Sequence, residues 1–117
     1  EFNRKEITVA SLKKPEACES LNDIRLGIDT LDKEIVHILS QRMGYVKAAA
    51  QFKPDEKSIP APERVASMLE ERRHWANEQG LSEEYVEALF DNIIQWYISQ
   101  QIQHWRSQKG LAPVSQD

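Results

Sequence analysis

Four polar side chains, Arg25, Arg42, Lys53 and Gln101, fall in or beside runs of residues that otherwise alternate like the buried face of a helix. A guanidinium grips a carboxylate through two parallel hydrogen bonds, and two guanidiniums suit two carboxylates. An ammonium and an amide can each donate to a neutral oxygen or to one that is gaining charge. The chemistry implied is capture of a small dianion, with donors left over for a bond that breaks at oxygen. No nucleophile–base pair and no pair of facing carboxylates competes with these residues. A reaction here would run on orientation and electrostatics rather than on proton shuttling.

Spacing limits how the four can meet. Arg42 and Lys53 are eleven residues apart, three helical turns to within about 20°, so one helix would aim them the same way about 16 Å apart. Arg25 precedes Arg42 by seventeen residues, a rise of about 25 Å with a rotation near 100°. Two extended arginine arms of about 7 Å each would still leave roughly 11 Å. Arg25 lies further still from Lys53, about 42 Å. If all three cations serve one ligand, Arg25 comes from a second copy of the chain. Each residue also has an ordinary reading. Arg25 can pair with Asp29 one turn on, Arg42 can snorkel to solvent, and Lys53 can be solvated beside Asp55 and Glu56. Gln101 can set register in a helical seam, as a buried Asn does in a coiled coil.

The elements that position them are helices. Leu21, Ile24, Ile28, Leu31, Ile35 and Ile38 step by threes and fours, which is a heptad-like seam. Ser20 is placed to cap this first helix, with Asp23 in its first turn. The spacing predicts a helix to about Phe52, because Pro54 drives Lys53 out of the α region. Residues 53–61 form a polar, proline-punctuated loop, expected to be a lid that is mobile when empty and orders over ligand. Pro62 opens a second helix to about Gln79, closed by Gly80. Ser82 caps a third, with Glu83 and Glu84 in its first turn and an apolar stripe from Val86 to Trp105, ending near Gln108 before Gly110 and Pro113.

The fold class is therefore all-α, with a long, a short and a long helix. Residues 1–19 are expected as an arm, 20–109 as one helical domain and 110–117 as a tail. Helices of about 50 and 40 Å with one short partner would leave much apolar surface wet. A symmetric dimer that interlocks the long helices removes that problem.

Composition narrows the partners. The chain has 117 residues, 40% of them hydrophobic, and a net charge of −4; its pI is near 5.4. That balance opposes nucleic-acid binding, which calls for a basic excess. Cys18 is the single cysteine and the three histidines, His37, His74 and His104, are scattered, so neither a disulfide nor a metal site is expected. No apolar run is long enough to span a bilayer and no secretory signal is seen; a cytoplasmic protein is expected.

At the residues singled out, the chain resembles the all-helical chorismate mutase class: Arg25, Asp29 and Asp32 within IDTLD, Arg42, Lys53, Arg64 and Gln101 fall at the family's spacings. Through RMGYVKAA, FKPDEKSIPAPERVASML and IIQWYISQQIQHWR it is most similar to the isochorismate-pyruvate lyase branch. The resemblance implies an intertwined helical homodimer with two sites, each completed by an arginine of the partner's first helix. It implies cleavage of isochorismate to salicylate and pyruvate with no cofactor and no metal, salicylate going to siderophore synthesis. Carried over by position, Arg42 and the partner's Arg25 would hold the carboxylates and Lys53 would donate to the ether oxygen. Gln101 would hydrogen-bond nearby, Arg64 would support a carboxylate, and Val46, Met68, Tyr97 and Ile98 would be apolar walls. Mutases of this class carry acidic residues flanking the Arg64 position, where this chain has Ala61 and Val65, and a small hydroxyl residue where it has Tyr97. These departures favour the lyase, with weak mutase activity as a side reaction. The alternatives are a chorismate mutase making prephenate and a non-catalytic dimerisation module whose arginines only bridge helices.

Overall fold

The computed structural model describes residues 7–114; the expected arm and tail run beyond these at 1–6 and 115–117. Among the described residues the regular elements are helical: α1 (Leu21–Ala49), α2 (Pro62–Glu78) and α3 (Glu83–Gln108), with short 3-10 turns at Val9–Ser11, Pro15–Ala17, Ala50–Phe52 and Glu56–Ser58. The long–short–long order read from the apolar spacing is present. The chain divides into two compact units, Glu1–Arg42 and Met43–Asp117, and the boundary falls inside α1.

In the first unit, the start of α1 is fixed by the residues expected to fix it. Ser20 Oγ accepts the Asp23 N–H at 3.1 Å, satisfying one of the orphan donors of a helix N-terminus. The Asp23 carboxylate in turn accepts the Glu19 N–H at 3.0 Å and Lys13 Nζ at 3.2 Å. The Glu19 backbone N–H, and after it the Lys13 ammonium, hold this carboxyl below the usual aspartate range. The arm before it, which shows no periodicity, takes two 3-10 turns. No residue of α1 is buried. The seam residues Leu21, Ile28, Leu31, Ile35 and Ile38 are all exposed, Ile28 by 53% and Ile35 by 55%.

The α-helix does not reach Phe52 as the spacing predicts. It ends at Ala49 and the last three residues tighten into a 3-10 turn. The cause lies just beyond. Lys53 precedes Pro54 and is extended, with φ −96° and ψ 122°, as a residue before proline should be. Its N–H bonds the Ala50 carbonyl three residues back, the pattern of a 3-10 ending.

Among the described residues, the buried ones lie in the second unit: Ala50, Ile59, Ala76, Val86, Ile94, Tyr97 and one polar side chain, Gln101. Here α2 packs on α3, and the two 3-10 turns after α1 also lie against α3. The turn between α2 and α3 is a Schellman ending. Gly80 is left-handed (φ 72°), and the Gly80 and Leu81 N–H groups return to the Asn77 and Ala76 carbonyls at 3.1 and 2.8 Å. Ser82 Oγ then accepts the Tyr85 N–H at 3.1 Å to start α3. Arg73 staples the two helices, donating to Glu87 at 2.6 Å and Glu83 at 3.1 Å. Arg72 packs its guanidinium on the Trp75 and Phe90 rings at 4.7 and 5.4 Å, and burial pushes its pKa down. No helix among the described residues is long and apolar enough to cross a membrane.

Candidate functional site

The sequence-predicted residues divide between the two units. Arg25 is exposed on α1, and Arg42 is half-buried on the same helix. Both belong to the first unit, and the rise of about 25 Å between them along α1 is the one expected. One ligand cannot reach both in one chain.

The other seven lie in the second unit. Arg64 is exposed near the start of α2, one turn before the half-buried Met68. Tyr97 and Gln101 are buried on α3 at 5% and 7% exposure, one turn apart, and Ile98 beside them is half-buried. Val46, half-buried, sits in the last turn of α1. The structure joins two of these directly: Gln101 Nε2 donates to the Val46 carbonyl at 2.6 Å. Val46 lies in the last turn of α1, and a carbonyl oxygen has a second lone pair to accept a side-chain donor. Gln101 thus ties α3 to the end of α1, the polar-seam role that the sequence left open, and its amide keeps a second N–H and an oxygen for other partners.

Lys53 follows the 3-10 turn and is half-buried. The helical register that would align Arg42 with Lys53 stops at Ala49, so the loop sets the lysine's direction. Its Nζ stands 3.5 Å from the Ser58 carbonyl, at the outer limit of a hydrogen bond. The loop after it is built by Asp55, whose carboxylate accepts the Ser58 N–H at 2.9 Å and whose carbonyl accepts the Ser58 hydroxyl at 2.7 Å. At its end Ala61 takes a left-handed conformation, φ 40° and ψ 67°, immediately before Pro62.

Two residues of α3 that reach this loop escape the sequence reading. Trp105 Nε1 donates to the Lys53 carbonyl at 3.2 Å. Arg106 Nη1 donates to Glu56 Oε1 at 2.5 Å. Trp105 could have been found as the residue one turn after Gln101 on the same face, but there it reads as core. The Arg106–Glu56 pair spans 50 residues and leaves no local signal. Beside these residues lies an open cleft of about 470 Å³ whose lining includes Lys47, Gln51, His104, Trp105, Gln108 and Lys109. None of the nine predicted site residues lines it. The predicted site is distributed over separate units, and this cleft is a different place.

The profile of the chorismate mutase type II family matches residues 24–102. The chain belongs to the chorismate mutase type II family. The match starts one residue before Arg25 and ends one after Gln101, so all nine predicted residues lie within it, while Trp105 and Arg106 lie outside. The isochorismate pyruvate lyase of Pseudomonas aeruginosa is 55% identical over 101 residues, covering 86% of this chain and 100% of that protein. The T-protein of Haemophilus influenzae is 35% identical over 71 residues, 59% of this chain and 19% of that protein. The family membership accords with the all-helical, three-helix architecture.

Proposed function

We propose that this protein is an isochorismate-pyruvate lyase that works as a homodimer. The observation that carries the reaction is the 55% identity running through the whole length of a relative that bears that name. The dimer is supported by α1, whose apolar seam is uncovered, and by the spacing of Arg25 and Arg42 along that helix. Each buried Ile or Leu is worth roughly 1.5–3 kcal/mol, so a seam of this length is a strong drive to pair. Each site would combine Arg42, Lys53, Arg64 and Gln101 of one protomer with Arg25 of its partner.

In this reading the two arginines hold the carboxylates of isochorismate and compress it into a reactive conformer, between walls formed by Val46, Met68, Tyr97 and Ile98. The bond from the ring carbon to the ether oxygen breaks while a ring hydrogen moves to the enolpyruvyl methylene. The ring becomes salicylate, and the enolpyruvyl group leaves as pyruvate. Negative charge grows on the ether oxygen as that bond lengthens. Lys53 donates there, and Gln101, with the N–H not given to Val46, donates nearby. In this step no proton is exchanged with the protein. Ala61 and Val65 stand where mutases hold the hydroxyl of chorismate, so prephenate formation would be a minor activity. A cytoplasmic enzyme supplying salicylate to siderophore assembly is the setting this implies.

Purified protein given isochorismate should release fluorescent salicylate, and given chorismate should make prephenate far more slowly. The reverse preference would make it a mutase, and inactivity on both would favour the dimerisation module. The shared site has its own test. Arg25→Ala and Lys53→Ala proteins, each far below wild-type turnover, should recover about a quarter of wild-type activity when unfolded together and refolded, because half the dimers are mixed and each carries one intact site of two. A mixture no better than its components would place Arg25 and Lys53 in the same chain's site or in none.

A further inference from the structure

Lys53 has little local support. It lies past the end of the helical ladder, and it is followed by Pro54, which has no N–H to donate. Its N–H is held by Ala50. Its carbonyl is held from α3, by Trp105 Nε1 at 3.2 Å across 52 residues of chain. The next residue of α3, Arg106, holds the loop again at Glu56. Arg106 is itself fixed from behind, since its Nε donates to the Ala112 carbonyl. Gly110, left-handed at φ 72°, turns the chain after α3 back toward Arg106.

We propose that Trp105 and Arg106 are positioning residues that set Lys53 from α3, on either side of the Pro54–Asp55 corner. Trp105 is four residues after Gln101, so the two share a face of the helix about 6 Å apart along its axis. One rigid element then places both donors assigned to the breaking bond: Gln101 directly, and Lys53 through its own carbonyl. Freed from α3, the lysine would still carry its charge, but its Nζ would wander by an ångström or more, and a misplacement of that size can cost about a hundredfold in rate. The inference rests on Lys53 being the donor to the ether oxygen, and the experiment separates the two.

Trp105→Phe keeps an aromatic ring, though a smaller one, and removes the N–H; Glu56→Gln keeps the shape of a half-buried loop residue and removes the charge that Arg106 holds. Both should leave the melting temperature within a few degrees of wild type. Both should lower kcat for salicylate formation, Trp105→Phe by roughly 10- to 100-fold, with KM changed far less. The deciding measurement is each substitution placed in a Lys53→Ala protein, where neither should lower the residual rate further. In parallel, trypsin should cut the Lys57–Ser58 bond faster in both variants, since the Lys53–Pro54 bond resists it. Wild-type kcat in both variants, or an equal fractional loss with and without Lys53, overturns the positioning role while leaving the lysine's role intact. Near wild-type turnover in Lys53→Ala alone defeats the reading of Lys53, and the positioning inference with it. Unchanged cleavage at Lys57–Ser58 would show that α3 does not hold the loop.

Discussion

The two ends of α1 live under different rules. Residues 43–49 belong to a unit that buries its own apolar groups and ties the last turn of the helix to α3, through Gln101 and Val46. Residues 21–42 carry an equally regular apolar stripe, yet none of it is buried. A lone helix of this length gains too little from propensity to be stable without packing. On the dimer reading, the difference marks where the chain packs on itself and where it would pack on another copy. The second unit has a core, staples and caps; the first has a cap and a seam. On the reading proposed above, the incomplete end is also the one that lends its arginine.

The comparison breaks hardest if the seam is made polar. Ile28→Asp with Ile35→Asp should abolish dimerisation, because an unpaired carboxylate buried in an interface costs about 3–5 kcal/mol and a two-fold axis counts each substitution twice. The dimer dissociation constant should rise by at least about 10³-fold, and activity should vanish with the dimer. Sedimentation of the variant as a dimer, or full turnover from a monomer, would show that the exposed stripe is not the interface.

A smaller effect is expected from the matching change in the completed half. Gln101→Leu removes the hydrogen bond that ties α3 to the Val46 carbonyl, at a cost of about 1 kcal/mol. Thermal unfolding should shift down by several degrees while sedimentation still reports a dimer. If the two halves were equally dependent on the partner, the same substitution would also loosen the dimer.

Much of this contrast was legible before any coordinates. Ser20, Pro54, Pro62, Gly80 and Ser82 punctuate the helices because capping, proline and left-handed glycine are local rules, and the structure obeys each within three residues. Arg25 and Arg42 stood out for the same reason, since a helical period makes any cation on an apolar stripe visible. What escaped is non-local. The switch from α to 3-10 at Ala49 depends on how Lys53 leaves the helix, and the anchors Trp105 and Arg106 meet partners 52 and 50 residues away. Periodicity marks which face of a helix is buried; it says nothing about which loop carbonyl that face will meet.

The mildest test concerns the one well-fastened point of the first unit, the start of α1. The folded pKa of Asp23 is depressed by the Glu19 N–H and the Lys13 ammonium. A depressed carboxyl adds stability that is fully present above its unfolded value, near 4, and is lost as pH falls through the folded one. Asp23→Asn keeps a hydrogen-bonding side chain but lacks this charge at every pH. The wild type should therefore melt slightly above Asp23→Asn at neutral pH, and the gap should close as pH is lowered from neutral to below about 4. The group is solvent-facing and screened, so the gap should also narrow in high salt. A gap that stays constant across that range would mean the carboxylate contributes by shape alone. The start of α1 would then be held by Ser20 and by the partner surface, which would deepen the contrast with the self-sufficient unit that follows.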